Sequence, residues 1–386
     1  MTSNGVDQIQ ALVLHGAKDL KFETRPKPEP ANGEVQIQVK ATGLCGSDLH
    51  YYNHGRNGNF VVRAPLCLGH EASGIVTAVA DGSALKVGDR VALEVGLPCR
   101  LCHLCTAGRY NLCQSLRFKS SAKTFPHFDG TLQTVITHPA NMCHKLPDSV
   151  SFEQGALIEP LAVSLHALRR SQNGDGVPLL GSTALVLGAG AVGMLTAAAL
   201  AVSGVSSITI ADIDGARLKI AEGMAGGRFH FKTFVIPKSA PPSSTEEAFS
   251  NAEKLAKEIS ASVGLSLGFD RVFECTGVPP CVQLGCYAAA PGGKLVLVGM
   301  GSSGMSLPTA AFALREVDVI GVFRYANCYP PAIALFASGQ LDGVAEALVT
   351  HRVNLQDGEL AFRLAANVAT PEEAGNRVPV KVLVVS

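Results

Sequence analysis

The stretch that decides the fold is Leu185-Val186-Leu187-Gly188-Ala189-Gly190-Ala191-Val192-Gly193. Three apolar residues suited to a strand run into a G-x-G-x-x-G turn, and an alanine-rich helical segment follows. The glycine pattern alone is weak, but between a strand and a helix it has the setting a dinucleotide site requires. Gly188 permits the tight turn, Gly190 lets backbone approach a pyrophosphate, and Gly193 lets helix pack on strand. The phosphates then rest on a helix N-terminus, where free N–H groups favour anions. Asp212 closes the next expected strand, 19 positions after Gly193. An acid there accepts hydrogen bonds from the adenosine ribose and repels a 2′-phosphate, so NAD is expected over NADP. Asp214 lies close by and Arg217 follows. An arginine can serve a 2′-phosphate, which leaves NADP open.

Around this turn, strand and helix alternate. The spacing of Ala156, Leu157, Leu161, Leu165 and Leu168 predicts a helix over 154–170. Strands are expected at 184–187, 207–210, 272–274, 294–298 and 319–322, with helices at 193–203 and 216–224. Such alternation implies a parallel sheet covered on both faces. The uncharged run 183–202 could be read as a membrane helix, but its glycines make it strand, turn and helix. The N-terminal third is β-rich, with strands expected at 9–14, 35–41, 74–79 and 90–93. One long connection, 226–268, carries a Pro/Ser run at 237–244 expected as exposed loop, then a helical run at 246–260. At 386 residues, two domains are expected, or one interrupted by another.

The 32 basic and 32 acidic residues cancel, so nothing steers the chain toward nucleic acid or an anionic membrane. The first ten residues lack the apolar stretch of a signal peptide. The 11 cysteines are odd in number, which argues against a disulfide framework and for reduced thiols in the cytoplasm.

Four of those cysteines, Cys99, Cys102, Cys105 and Cys113, follow a C-x2-C-x2-C-x7-C spacing. Four thiolates so close can wrap one Zn²⁺ tetrahedrally and leave no open position, which defines a structural zinc. An iron–sulfur cluster is the rival, but the last spacing is too long and no proline follows. A second set of metal-capable residues is scattered: Gly43-Leu44-Cys45-Gly46-Ser47-Asp48-Leu49-His50, Gly69-His70-Glu71 and Glu159-Pro160. A catalytic zinc takes about three protein ligands and an open position. Cys45, His70 and a carboxylate could supply them, although each residue by itself is more often structural.

These motifs occur in the order found in the zinc-containing medium-chain alcohol dehydrogenases, and the chain resembles that family from about residue 9 to its end. Within it, Gly155-Ala156-Leu157-Ile158-Glu159-Pro160-Leu161, Phe323-Arg324-Tyr325, His50-Tyr51-Tyr52 and Gly58-Asn59-Phe60 look like the sorbitol (L-iditol 2-) and xylitol dehydrogenase group. The resemblance implies an α/β protein. A GroES-like β-rich catalytic domain (1–165 and 325–386) is interrupted by a Rossmann NAD-binding domain with a parallel sheet (166–324).

It further implies a catalytic zinc at Cys45, His70 and Glu71, with Glu159 near metal and substrate. Ser47 and His50 would relay a proton, and Tyr51, Phe60, Arg324 and Tyr325 would line the substrate pocket. Cofactor contacts would come from Gly188, Gly190, Val192, Gly193, Asp212, Arg217, Val298, Gly299, Met300, Val322, Phe323 and Arg324. The implied reaction is oxidation of a polyol's secondary hydroxyl, at C2, to a ketose with NAD. L-arabinitol, galactitol, threonine or a simple alcohol are rival substrates, and a silent NAD-binding protein is the non-enzymatic rival. Many relatives of this kind are tetramers, so the resemblance implies a homo-oligomer. Two departures stand out: Thr124-Phe125-Pro126-His127-Phe128-Asp129-Gly130 replaces the group's Thr-Pro-Pro pattern, and 226–268 is long.

Overall fold

The strand Thr183–Leu187 is the first of six parallel strands in one sheet. In spatial order these are Phe231–Val235, Ser207–Asp212, Thr183–Leu187, Phe269–Glu274, Ala289–Leu297 and Asp318–Gly321. Numbered along the chain, that order is 3-2-1-4-5-6, the doubly wound arrangement that reverses direction beside the first strand. Described residues of the computed structural model are 7–172, 178–301 and 304–385. Contact clustering divides the chain into two compact units. One runs to Glu159 and adds Tyr329–Gly339 and the segment from Val349 onward; the other takes Pro160–Cys328 and Gln340–Leu348.

In the second unit the run 183–202 is a strand, a turn and the helix Ala191–Val202, with Gly193 to Leu200 buried throughout. Among the described residues no helix is long and apolar enough to cross a membrane. The 226–268 connection holds more structure than its sequence suggests. Phe231–Val235 is the sheet's edge strand, unmarked in advance because its five residues alternate weakly. The Pro/Ser run is exposed, as expected. Ser244 then caps the helix Thr245–Ser262 by accepting from the Glu247 N–H at 3.1 Å.

The first unit is β-rich. Its main sheet runs Cys143–Lys145, Arg90–Leu93, Glu71–Val79, Glu34–Gly43, Lys381–Val385 and Val349–Asn354, and Val135–Pro139 also pairs with Glu34–Gly43. The C-terminal strand was not expected, although Val382-Leu383-Val384-Val385 has strand character, and it fixes the site. It lies antiparallel to Glu34–Gly43 with Leu383 opposite Gly43, while Gly43 on its other side faces Glu71. The ends of three strands therefore converge at Gly43, Glu71 and Lys381. Gly43 must be glycine, because a Cβ there would collide with Glu71 Oε2.

His138, fully buried on Val135–Pro139, donates from Nε2 to the Glu94 carbonyl at 3.0 Å, and its Nδ1 has no partner. Burial, helped by the charge of Lys119, pushes this imidazole down to about 3. The unfolded chain therefore takes up this proton first. Stability should fall as pH drops from about 6.5 toward 3, by at most about 1.4 kcal/mol per pH unit. Denaturant unfolding of His138→Leu beside the parent chain should show a flatter profile in that window. Parallel profiles would contradict the assignment.

Candidate active site

Cys45 ends an extended segment and caps the helix Gly46–His54. Asp48, in the first turn, has no exposure to solvent. Its Oδ2 accepts from the Cys45 N–H at 3.1 Å. Its Oδ1 accepts from Gly69 N–H at 3.2 Å and from Ser120 Oγ–H at 2.7 Å, and lies 3.3 Å from His70 Nδ1. That last approach is a charge contact that holds the imidazole edge against the Asp48 carboxylate. Ser47 Oγ sits 3.4 Å from His70 Nε2, and the Phe118 ring packs 5.4 Å from the imidazole. Burial opposes a charged imidazole, but Asp48 and Cys45 outweigh it and hold His70 well above its ordinary pKa. Burial likewise opposes the Asp48 carboxylate, and His70 with the Ser120 and Cys45 hydrogen bonds holds it below its usual range.

Glu71 follows directly and opens the strand Glu71–Val79. Lys381 Nζ donates to both its oxygens, at 2.9 and 2.6 Å, and to the Leu44 carbonyl at 3.0 Å. Both side chains are almost fully buried. Burial opposes the Lys381 charge, but Glu71, Cys45 and Glu159 together raise its pKa. Donor atoms of Cys45, His70 and Glu71 lie within 4.8 Å of one another. One sulfur, one imidazole nitrogen and one carboxylate oxygen fit a three-ligand zinc with an open fourth position. Glu159 is buried nearby but is not one of the three converging donors.

The loop between the short strands Gly96–Leu97 and Arg117–Phe118 carries the four cysteines. Cys102 Sγ is 3.4 Å and Cys99 Sγ is 3.9 Å from Cys105 Sγ. A tetrahedron with metal–sulfur bonds of about 2.3 Å has sulfur–sulfur edges of about 3.8 Å, so these thiols are spaced for one zinc. Backbone N–H groups of Leu101 and Cys102 hold the Cys99 thiol down to about 6, whereas burial and the neighbouring thiols push Cys105 up to about 12.

In the second unit, Gly188 takes φ +101°, and a Cβ there would meet Thr276 Cγ2 at 2.7 Å. A Cβ on Gly193 would strike the Gly188 carbonyl, while Gly190 has open space where its Cβ would point. A glycine turn of this kind, leading into a helix N-terminus, has the form that can accept a phosphate. Asp212 Oδ2 accepts from Ala189 N–H at 2.5 Å and Oδ1 from Asp214 N–H at 2.8 Å, so the acid braces the turn. Arg217 Nε lies 3.7 Å from Asp214. Val192, Val298, Gly299 and Val322 are half-buried, and Met300 and Phe323 are exposed. Val298 and Gly299 N–H both donate to the Glu274 carbonyl at 2.8 Å. Glu274 was not anticipated. Its buried carboxylate accepts from the N–H groups of Thr276 and Gly277 at 2.7 and 3.0 Å and shapes the rim of the sheet beside the glycine turn.

The remaining predicted residues are more dispersed. Tyr51 is buried and its hydroxyl accepts from Ala122 N–H at 3.1 Å. His50 is exposed, with its ring 6.2 Å from that of His54. Phe60 is exposed on the short strand Phe60–Val61. Arg324 has φ +51° and its guanidinium lies 4.9 Å over the Phe323 ring, while Tyr325 is buried. Besides Glu274, sequence reading missed Asp48, Ser120 and Lys381 as site residues. The quoted Cys45–His50 motif contained Asp48, whose spacing of three from Cys45 is a capping signal.

Residues 31–148 match the alcohol dehydrogenase GroES-like domain and residues 191–338 the zinc-binding dehydrogenase family. The sorbitol dehydrogenase of Gallus gallus is 42% identical over 358 residues, 92% of this chain and 92% of that protein. That of Homo sapiens is 40% identical over 353 residues, 91% of each. Among solved structures, L-idonate 5-dehydrogenase from Escherichia coli superposes with a TM-score of 0.81 at 27% identity, covering 98% of this chain and 99% of that one. The 2R,3R-butanediol dehydrogenase from Bacillus subtilis gives 0.77 at 29% identity, with 98% and 99% covered. The chain belongs to the zinc-type medium-chain alcohol dehydrogenase family. It is a zinc-dependent NAD oxidoreductase closely related to the sorbitol dehydrogenases.

Lys381→Met would leave Glu71 buried without its counter-charge, a loss of about 3–5 kcal/mol for a broken buried pair. Bound zinc is itself a counter-charge, so thermal unfolding should show a smaller loss with zinc than with a chelator. Equal losses in both forms would mean that Glu71 does not face the metal.

Proposed function

We propose that this enzyme oxidises a secondary hydroxyl, at C2, of a polyol such as sorbitol or xylitol to the ketose, with NAD as acceptor. The convergence of Cys45, His70 and Glu71 carries the reading. Identity of about 40% to several sorbitol dehydrogenases supports the substrate class. Zinc, when bound, supplies Lewis acidity that lowers an alcohol's pKa, and the nicotinamide supplies the hydride acceptor.

The chain's residues do the rest. Asp48 keeps His70 turned so that Nε2 is the nitrogen offered to the metal. Lys381 neutralises Glu71. Ser47 takes the hydroxyl proton and His50, one helical turn on and open to water, passes it out; Glu159 is the alternative acceptor. Arg324, Tyr325 and Tyr51 hydrogen-bond the other hydroxyls, and Phe60 forms a wall. Gly188, Gly190, Val192 and Gly193 cradle the pyrophosphate. Asp212 receives the ribose hydroxyls with Arg217 beside it, and Val298, Gly299, Met300, Val322 and Phe323 contact the rest of the cofactor. We further propose a cytoplasmic homo-oligomer, a tetramer by resemblance. All 11 cysteines are free thiols, which suits a reducing compartment. Sedimentation velocity tests the assembly state.

The loop at 124–130, altered from the group's pattern, leaves the preferred substrate within the class open, with L-arabinitol and galactitol as rivals. NADH production over sorbitol, xylitol, L-arabinitol, galactitol and threonine separates these; the highest kcat/KM on threonine or a simple alcohol would reject the polyol assignment. Cys45→Ala should lose turnover and the catalytic zinc while keeping NAD binding and the four-cysteine zinc. Full activity in that variant, with metal content verified, would remove Cys45 from the site. Asp212→Ala should shift the NAD-to-NADP ratio of kcat/KM by about tenfold or more, the worth of a hydrogen bond to a charged group. An unchanged ratio would contradict its role.

A further inference from the structure

We infer that Ser120 is a positioning residue for the catalytic metal: its hydroxyl fixes the Asp48 carboxylate in the orientation from which Asp48 turns His70 toward the ion. The inference rests on the metal reading of Cys45, His70 and Glu71.

Ser120 Oγ–H donates to Asp48 Oδ1 at 2.7 Å, the shortest of the contacts on that carboxylate, and Ser120 Oγ accepts from Gly69 N–H at 3.0 Å. It therefore ties the residue that orients His70 to the backbone that immediately precedes His70. The serine is buried and takes φ +62°, a left-handed conformation. Glycine would hold that backbone at lower cost, because an L side chain there is strained. What the hydroxyl contributes in return is its pair of contacts to Asp48 and Gly69.

Ser120 is also placed by the four-cysteine loop. That loop joins Gly96–Leu97 to Arg117–Phe118, with Arg117 opposite Leu97 and Phe118 opposite Gly96. Lys119 N–H then donates to the Val95 carbonyl at 3.2 Å and Ser120 N–H to the Phe128 carbonyl at 2.9 Å. Phe118 of the same ribbon packs on the His70 ring. One short segment thus delivers two constraints to His70, a ring against its face and a hydroxyl on its carboxylate. The structural zinc loop anchors the catalytic histidine through residues 117–120.

The test uses the full-length chain and Ser120→Gly, which suits the backbone and deletes the hydroxyl. Zinc affinity of the catalytic site is read by competition with a chromogenic chelator, and Co²⁺ uptake gives an independent thiolate-to-metal absorption band. Retention of the four-cysteine zinc and an unchanged Tm report intact folding. The affinity should fall about tenfold or more, as for loss of other outer-layer partners of a metal ligand. In an Asp48→Asn background the same substitution should add little, because the hydroxyl acts through that carboxylate. Unchanged affinity in Ser120→Gly, or losses that simply add in the double variant, would overturn the proposal. If Asp48→Asn does not fold, the affinity of Ser120→Gly at unchanged Tm decides alone. A parent chain that takes up no second zinc would instead overturn the metal reading itself, so the two failures are distinguishable.

Discussion

Two opposite charges, Glu71 and Lys381, are buried against each other where three strands of the first unit end. Taking each ion out of water costs several kcal/mol, and mutual attraction offsets this only in good geometry with the remaining donors satisfied. The fold supplies that geometry. The ammonium spends one donor on the Leu44 carbonyl and reaches both oxygens of Glu71. The chain's last strand must return to pair with Glu34–Gly43 for this to happen, and Gly43 must lack a side chain. Register, chain reversal and a single glycine are thus bound up with one ion pair. That pair holds the Glu71 side chain in place beside Cys45 and His70. A pair built in this way adds little net stability; what it provides is a charge held in place.

The four-cysteine loop answers the same physical problem differently. Its thiols crowd together, with the Cys102 and Cys99 sulfurs 3.4 and 3.9 Å from that of Cys105, so negative charge on several of them is mutually repulsive. A divalent cation removes that conflict and closes a loop with few apolar residues to pack. In the Glu71 site a lysine already carries part of the compensating charge, and the donor set is left one ligand short. Closed and open metal sites therefore differ in how their negative charge is balanced as well as in ligand count.

Legibility in the sequence follows from range. The glycine turn and the cysteine loop were readable because each completes its chemistry within about twenty residues, and local spacing constrains them. The parallel sheet was readable from periodicity, except for Phe231–Val235 at its edge, where alternation is weak. Cys45, His70 and Glu71 needed a family resemblance, since nothing local marks a Cys and a His 25 residues apart as partners. Of the supports of that site only Asp48 has a local signal, its capping spacing from Cys45. Ser120 meets Asp48 across 72 positions and Lys381 meets Glu71 across 310. Both contacts are made by strand pairing and turn closure, and composition carries no trace of them.

The altered loop at 124–130 shows why substrate choice is harder to read than chemistry. Its two ends are fixed firmly. Asp129 accepts from Cys67 N–H at 2.8 Å and from Arg25 at 3.0 Å. The Phe128 ring lies under Arg117 at 4.4 Å and Lys119 at 4.5 Å. Burial pushes the Lys119 ammonium down to about 8 against the pull of Asp129, so ring and carboxylate together retain a cation that is costly to bury. His127 donates from Nδ1 to the Thr124 carbonyl at 2.9 Å and accepts at Nε2 from Arg63 N–H at 2.9 Å, which closes the loop on itself. Phe125, by contrast, is exposed and rests edge-on against His127. Two of these anchors, Arg117 and Lys119, belong to the ribbon whose Phe118 packs on His70, so this side of the loop is tied to the same segment as the metal site. Phe125 and Pro126 at the tip stand apart from these anchors, in the stretch that departs from the group's Thr-Pro-Pro pattern.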